Sequence, residues 1–233
     1  MSTLLLRLAA PLQSWGIDGR FENRRGTQRA PTKSGVIGLI AAALGRRRTE
    51  GIGDLAALYF GVRVDREGEL LRDYHTIISR DYYTSKKSDY ITHRYYLSDA
   101  VFLAGFEGDD ALLHEIDNAL SCPEFPLFLG RRSCPPEGRV SLGFREKPLE
   151  EALREEPLLV VDHGNRAKDF DRLRILIDSA PRKIGHFTND KPLSFDQRQR
   201  VYGYRFMREF AVAKPATGRE PSTNHDPLLS LEV

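Results

Sequence analysis

Apolar residues run almost without a break through TLLLRLAA, residues 3–10, and stop at Pro11, which predicts a buried strand. A polar, glycine-containing stretch over 13–31 follows, and an ordered loop of that length is commonly a functional one. Thr32 then stands where a helix cap is needed, ahead of KSGVIGLIAAALG, and Gly45 stands where the helix should end. Apolar residues on nearly every side of that segment predict a helix laid against a sheet. YFGVRV and LLRDYHTIIS read as strands on either side of the turn DREGE, DAVFLAGFEG reads as a third, and a helix is expected over about 110–120. With a strand near 139–145, the order predicts an α+β fold. Its core is a ferredoxin-like, split βαβ domain over 1–150, the architecture also used by RNA-recognition modules. A polar, aromatic hairpin at about 80–97 interrupts it. Beyond Pro148, a short helix and the strands LLVVDHG and YGYRFMREFAVA predict a smaller β-rich lobe over 151–233. The charged segment 164–200 shows no period that assigns it, and the tail 214–227 is expected to be loose unless a partner orders it.

Composition narrows the function classes. Thirty-five Lys and Arg stand against 33 Asp and Glu, a formal charge of only +2, so a nucleic-acid surface must come from local segregation of charge. Arg7 breaks the N-terminal apolar run and no basic region precedes it, so no secretory leader is expected and the chain reads as cytoplasmic. The longest apolar stretch, Val36 to Leu44, falls short of the roughly 20 residues a membrane helix needs, so no membrane partner is expected. Cys122 and Cys134 form neither a CxxC pair nor a cluster with histidine, so neither metal nor cofactor is expected.

Three segments do segregate charge. RFENRRGTQRAPTK holds Arg20, Arg24, Arg25, Arg29 and Lys33 against one acid, Glu22, and runs into a helix N-terminus, the outline of an anion site. A nucleotide-binding P-loop is not among the readings: four residues on from Gly26 stands Pro31 in place of the second glycine, and Thr32 in place of the lysine. RDYYTSKKSDYITHRYY, residues 80–96, carries five of the nine tyrosines, Tyr95 among them, interleaved with Arg80, Lys86, Lys87 and Arg94. Exposed rings with cations suit single-stranded RNA, whose bases stack on tyrosine while Lys and Arg neutralise phosphates. An ordinary solvated hairpin would carry the same residues. In FLGRRSCP, Arg131 and Arg132 follow Gly130, where a flexible backbone can approach an anion. The same arginines would lower the pKa of Cys134, but no base or orienting group lies near it in sequence, so packing is the favoured role for that thiol. Tyr74 and His75 could serve acid–base chemistry on an RNA 2′-hydroxyl, although strand alternation sets them on opposite faces. Trp15 suits a core anchor and a stacking surface equally.

LRLAAPLQSWG, LRDYHT, RAPTKSGVIGLIAAALG and FLGRRSCP together resemble the CasD-type subunits of type I-E CRISPR effector complexes, called Cascade, within the RAMP superfamily. The likeness spans residues 3 to about 136 and carries no motif beyond them. It implies a non-catalytic RNA-binding subunit, with no cofactor, that caps the 5′ handle of the guide RNA and contacts CasC-type backbone and CasA-type large subunits. Target DNA would be met only through the assembled complex. The resemblance further implies that Gln13, Ser14 and Trp15, with Thr32, Lys33 and Ser34, face the handle. The hairpin would act as a thumb with Arg94 as its RNA contact, and Gly130, Arg131, Arg132 and Ser133 would grip the handle. A related subtype suggests the alternative of a metal-independent endoribonuclease processing precursor RNA, with Tyr74, His75 and Lys87 as its residues.

Overall fold

A computed structural model describes residues 2–16, 24–80, 87–160, 172–181 and 184–215. The elements in chain order are β1 (Thr3–Ala9), β2 (Leu12–Gln13), β3 (Arg24–Arg25), α1 (Lys33–Ala43), α2 (Gly53–Ala57), β4 (Tyr59–Arg66), β5 (Glu69–Arg80), β6 (Lys87–Ser98), β7 (Val101–Glu107), α3 (Asp110–Ser121), β8 (Ser141–Arg145), α4 (Leu149–Glu155), β9 (Arg172–Asp178), β10 (His186–Ser194) and β11 (Val201–Ala213). The fold is mixed α+β with antiparallel pairing throughout its main sheet, which runs β10-β11-β9-β4-β7-β1-β8.

Both faces of that sheet are covered, which explains the continuous apolar run of β1. Leu4, Leu6 and Leu8 point to the side of α1 and α3, where Val36, Ile37, Ile40, Leu113 and Ile116 complete the larger core. Leu5 points the other way, into a smaller core with Leu103, Ile175, Ile177 and, from α4, Leu149 and Leu153. Thr32 caps α1 by accepting from the Gly35 N–H at 3.2 Å, and Gly45 follows its end at φ +73°. The end of α4 is held by Arg63, which is fully buried, paired with Asp65 at 2.6 Å, and donates to the Leu153 and Pro157 carbonyls at 2.8 and 2.9 Å.

Beyond residue 150 the strands do not make a sheet of their own. β9 pairs with β4, and β11 and β10 follow it outward, so the expected C-terminal lobe is an extension of the main sheet. The segment left unassigned over 164–200 contains β9 and β10; RLRILID does alternate, with Leu173, Ile175 and Ile177 buried. The expected strand LLVVDHG is absent at residues 158–160, and its remainder lies outside the described residues.

LLRDYHTIIS is a strand, but its partner is not YFGVRV. It forms β5, whose one partner among the described residues is β6, from Glu69 opposite Ser98 to Arg80 opposite Lys87. The inserted hairpin therefore spans 69–98, longer than the expected 80–97, because the chain leaves the main sheet at Gly68 (φ +70°) and rejoins it after Asp99 (φ 55°). Along its other edge β6 pairs with β2, through Leu12 and Gln13, and in parallel with β3. No helix among the described residues is long and apolar enough to cross a membrane, and no group of His, Cys, Asp and Glu among them is arranged to hold a metal.

Candidate nucleic-acid interface

The segments around Trp15, Thr32 and Gly130 meet in space and form a buried base. The Ser14 N–H donates to the Leu129 carbonyl at 3.1 Å, and the turn is closed by Leu129 N–H to the Cys134 carbonyl at 2.7 Å and Cys134 N–H to the Arg131 carbonyl at 2.9 Å. Gly130 sits at φ +84°, and a β-carbon there would lie 1.7 Å from the Ser14 carbonyl oxygen, so glycine alone fits. Trp15, 1% exposed, packs its ring where a β-carbon on Gly35 would be 2.8 Å away, and its Nε1–H donates to Gln13 Oε1 at 3.1 Å. Gln13 in turn donates to the Leu8 and Ala100 carbonyls, and Ser14 Oγ to the Tyr95 carbonyl at 3.2 Å.

Gln13, Ser14, Trp15, Thr32, Lys33 and Ser34 are thus all buried, contrary to the expectation that they face RNA. Their polar atoms are paired with backbone groups or with other buried side chains, as buried polar groups must be.

Lys33 is the clearest case. Its Nζ donates to Asp178 at 2.9 Å and to the Leu58 carbonyl at 2.6 Å, while its backbone N–H, in the first turn of α1, donates to Asp190 at 2.9 Å. Arg205 binds Asp190 through Nε at 2.6 Å and Nη2 at 2.9 Å, and Asp178 through Nη1 at 2.6 Å. The anion expected at this helix end is supplied by two carboxylates from β9 and β10, in a network of two positive and two negative side chains. Burial holds the Lys33 pKa below its ordinary value, against the opposing pull of Asp178.

On this base stands a second layer, exposed at Arg24, Arg25 and Tyr74 and buried at Tyr96, which is 5% exposed. Register places Arg24 beside His93 and Arg25 beside Arg94. One face of the hairpin carries Tyr74, His93 and Tyr95: the Arg24 guanidinium lies 5.0 Å over the Tyr95 ring, and the Tyr74 and His93 rings stand 5.6 Å apart. The other face carries Asp73, Arg94 and Tyr96, with the Arg131 guanidinium 4.7 Å over the Tyr96 ring. Arg131 Nη2 donates to the Arg25 carbonyl at 2.9 Å, while its Nη1, buried, has no hydrogen-bond partner among the described residues. Burial pushes the Tyr96 phenol up, but the nearby Ser133 hydroxyl and the hydrogen bonding and charge of Arg131 outweigh it, and the net direction is down. Arg132 and Ser133 are exposed at the turn, Arg29 is exposed ahead of α1, and Arg94 and Tyr95 are half-buried. Tyr96, Thr27 (whose Oγ1 accepts from the Trp15 N–H at 2.8 Å) and Arg205 were not picked out by sequence reasoning. Period-2 counting from Arg94 places Tyr96 on the arginine's face, whereas nothing local marks the other two.

Lys86 lies outside the described residues, as do the side chains of Arg80 and Lys87. Tyr74 and His75 point to opposite faces of β5, and His75 Nδ1 lies 2.9 Å from Asp73. Cys134 is 1% exposed and burial pushes its thiol up, the reverse of what a nucleophile needs, whereas Cys122 is exposed.

A family model described as "CRISPR-associated protein (Cas_Cas5)" matches residues 3–208. The chain belongs to the CRISPR-associated Cas5 family. The "CRISPR system Cascade subunit CasD" of Escherichia coli (strain K12) is 37% identical over 177 residues, 67% of this chain and 78% of that protein. A solved structure described as "Crystal structure of Cas protein" is 42% identical with a TM-score of 0.72, covering 93% of this chain and 98% of its own. A chain of a "CRISPR RNA-guided surveillance complex" is 33% identical with a TM-score of 0.75, covering 92% and 91%. The resemblance carried by the N-terminal motifs is therefore one of family, and the match runs through β9 and β10 into β11, well past residue 136 where the motifs end.

Proposed function

We propose that this Cas5-family chain is a non-catalytic, guide-RNA-binding subunit of a Cascade-type complex that caps the 5′ handle of the guide. We read the order β4-β7-β1-β8, with α1 and α3 as its crossings, as the ferredoxin-like core, and the β5–β6 hairpin as the thumb inserted into it. CasC-type and CasA-type subunits are its neighbours, and target DNA is reached through the assembly. The observation that carries this reading is the layer of Arg24, Arg25, Arg94 and Arg131 set beside Tyr74 and Tyr95, with a buried Arg131 Nη1 group that has no partner among the described residues. Cations beside stackable rings fit phosphate and unpaired bases together.

The test is crosslink mapping of the guide in the co-expressed complex. Crosslinks from the hairpin and the 130–133 turn to the 5′ handle are expected, and handle crosslinks that bypass this chain would refute the role. The ribonuclease alternative draws only on the exposed Asp73–His75 pair. Cleavage of repeat RNA by the isolated chain in the presence of chelator would establish it; intact RNA removes it.

A further inference from the structure

The face of the main sheet that carries α4 is covered only in part, because the helix packs on β4 and β7 and leaves the outer strands bare. On β11, Tyr204, Phe206 and Phe210 share that face by alternation. Phe210 packs against the smaller core, with the Arg154 guanidinium of α4 4.9 Å over its ring. Farther from the helix the cover ends. Register sets Phe187 of β10 opposite Phe206, the two rings 5.1 Å apart and edge to face, yet Phe187 is 62% exposed and Tyr204 70%. Ile184, just ahead of β10, is 94% exposed. A β-carbon on Gly185 would lie 2.4 Å from the Met207 carbonyl oxygen, so the backbone is drawn tight against β11 between these two side chains and holds them at the surface. An apolar strip of this kind marks a surface that another segment covers. Its surroundings are basic: residues 182–209 hold seven Lys and Arg against three Asp and Glu, and Arg198 and Arg200 are exposed in the turn between β10 and β11.

We infer that the chain's own C-terminal tail covers this strip, with Leu229, Leu231 and Val233 seated on Phe187, Tyr204 and Phe206. Residues 216–233 follow directly on β11 and lie beyond the described residues. Their pattern fits the strip: after Pro227, LLSLEV sets Leu229, Leu231 and Val233 on one side and Leu228, Ser230 and Glu232 on the other, as a half-buried strand does. Their charge is complementary, since Glu220, Asp226 and Glu232 stand against Arg219 alone, opposite in sign to residues 182–209. Their length suffices. From Phe206 to Ala213 the strand carries the chain about 24 Å away from the strip, and the twelve residues 216–227 span up to about 40 Å on the way back. A tether of that length holds the segment at an effective concentration on the order of a millimolar, so it meets the strip ahead of a free partner. The tail thus closes an apolar sheet face that lies apart from the cationic layer.

The test places the photo-reactive residue p-benzoylphenylalanine at position 204, an exposed aromatic site, in the whole chain. Trypsin then releases residues 220–233 as one peptide, since no Lys or Arg follows Arg219. A crosslink to that peptide within a single chain is expected, at a yield independent of protein concentration. Leu229→Ser, Leu231→Ser and Val233→Ser combined should cut the yield about tenfold by removing the apolar contact. In the same triple substitution, without the photo-reactive residue, amide hydrogens over 184–194 should exchange about fivefold faster while those of β1 and β7 are unchanged, which separates loss of the cover from loss of the fold. Crosslinks that go to another part of the chain, to a second copy with a yield that rises with concentration, or only to other subunits or RNA in an assembled complex would overturn the inference. So would parental crosslinking yield, or parental exchange over 184–194, in the triple substitution.

Discussion

Lys33 separates two accounts of the helix start, because an RNA contact and a buried structural charge respond differently to its removal. Lys33→Met keeps most of the side-chain volume and deletes the ammonium, leaving Asp178 with only Arg205 Nη1 at 2.6 Å and the Phe60 N–H at 3.0 Å. Breaking one member out of a buried ionic network costs about 3–5 kcal/mol. At 2–4 °C of Tm per kcal/mol for a chain of this size, that is a fall of about 6–20 °C. The assay is urea and thermal unfolding of the isolated chain without RNA. Adding Asp178→Asn removes the stranded charge while Arg205 keeps both Asp190 contacts, so the double variant should lose less than the two singles together, with a coupling of about 1–3 kcal/mol. The pH dependence has a definite sign. Burial sets the folded pKa below the ordinary lysine value of 10.5, so the unfolded state binds more protons between those values and parental stability gains from Lys33 as pH rises through that window. Lys33→Met abolishes that gain. A Lys33→Met protein with parental Tm and weakened RNA binding would refute the network and restore the lysine as a direct contact.

Gly130→Ala places a methyl 1.7 Å from the Ser14 carbonyl at φ +84° and must displace the turn, so a loss of about 2–4 kcal/mol and weaker guide binding are expected, read by unfolding and by filter binding together. Arg131→Ala and Arg131→Lys should both weaken guide binding, Lys less so, and Arg131→Ala should flatten the salt dependence by roughly 0.7 in log–log slope for each phosphate the chain then leaves unneutralised. Alkylation of the folded chain should modify Cys122 and spare Cys134 until denaturant opens the core, because burial both shields the Cys134 thiol and raises its pKa; fast modification of Cys134 in the native chain, mapped by mass spectrometry, would contradict its packing.

Local rules decided much of this molecule. The apolar run of β1, the Thr32 cap, the end of α1 at Gly45 and the amphipathic α3 follow from side-chain period and cap chemistry acting over a few residues, and they could be read directly. So could the co-occurrence of tyrosine and arginine in the hairpin, and the motifs that mark the family. Pairing could not. LLRDYHTIIS alternates equally well beside β4 or β6, and only closure of the hairpin between Gly68 and Asp99 selects β6. Burial was the other matter left to the tertiary structure. Gln13, Ser14 and Lys33 look like surface polar residues, yet each is enclosed because partners distant in the chain meet its hydrogen-bonding needs: Ala100 for Gln13, Tyr95 for Ser14, and Asp178 and Asp190 for Lys33. A charge near a helix start announces that an anion belongs there, but whether that anion is a phosphate or a carboxylate 145 residues away depends on which strands the sheet brings alongside.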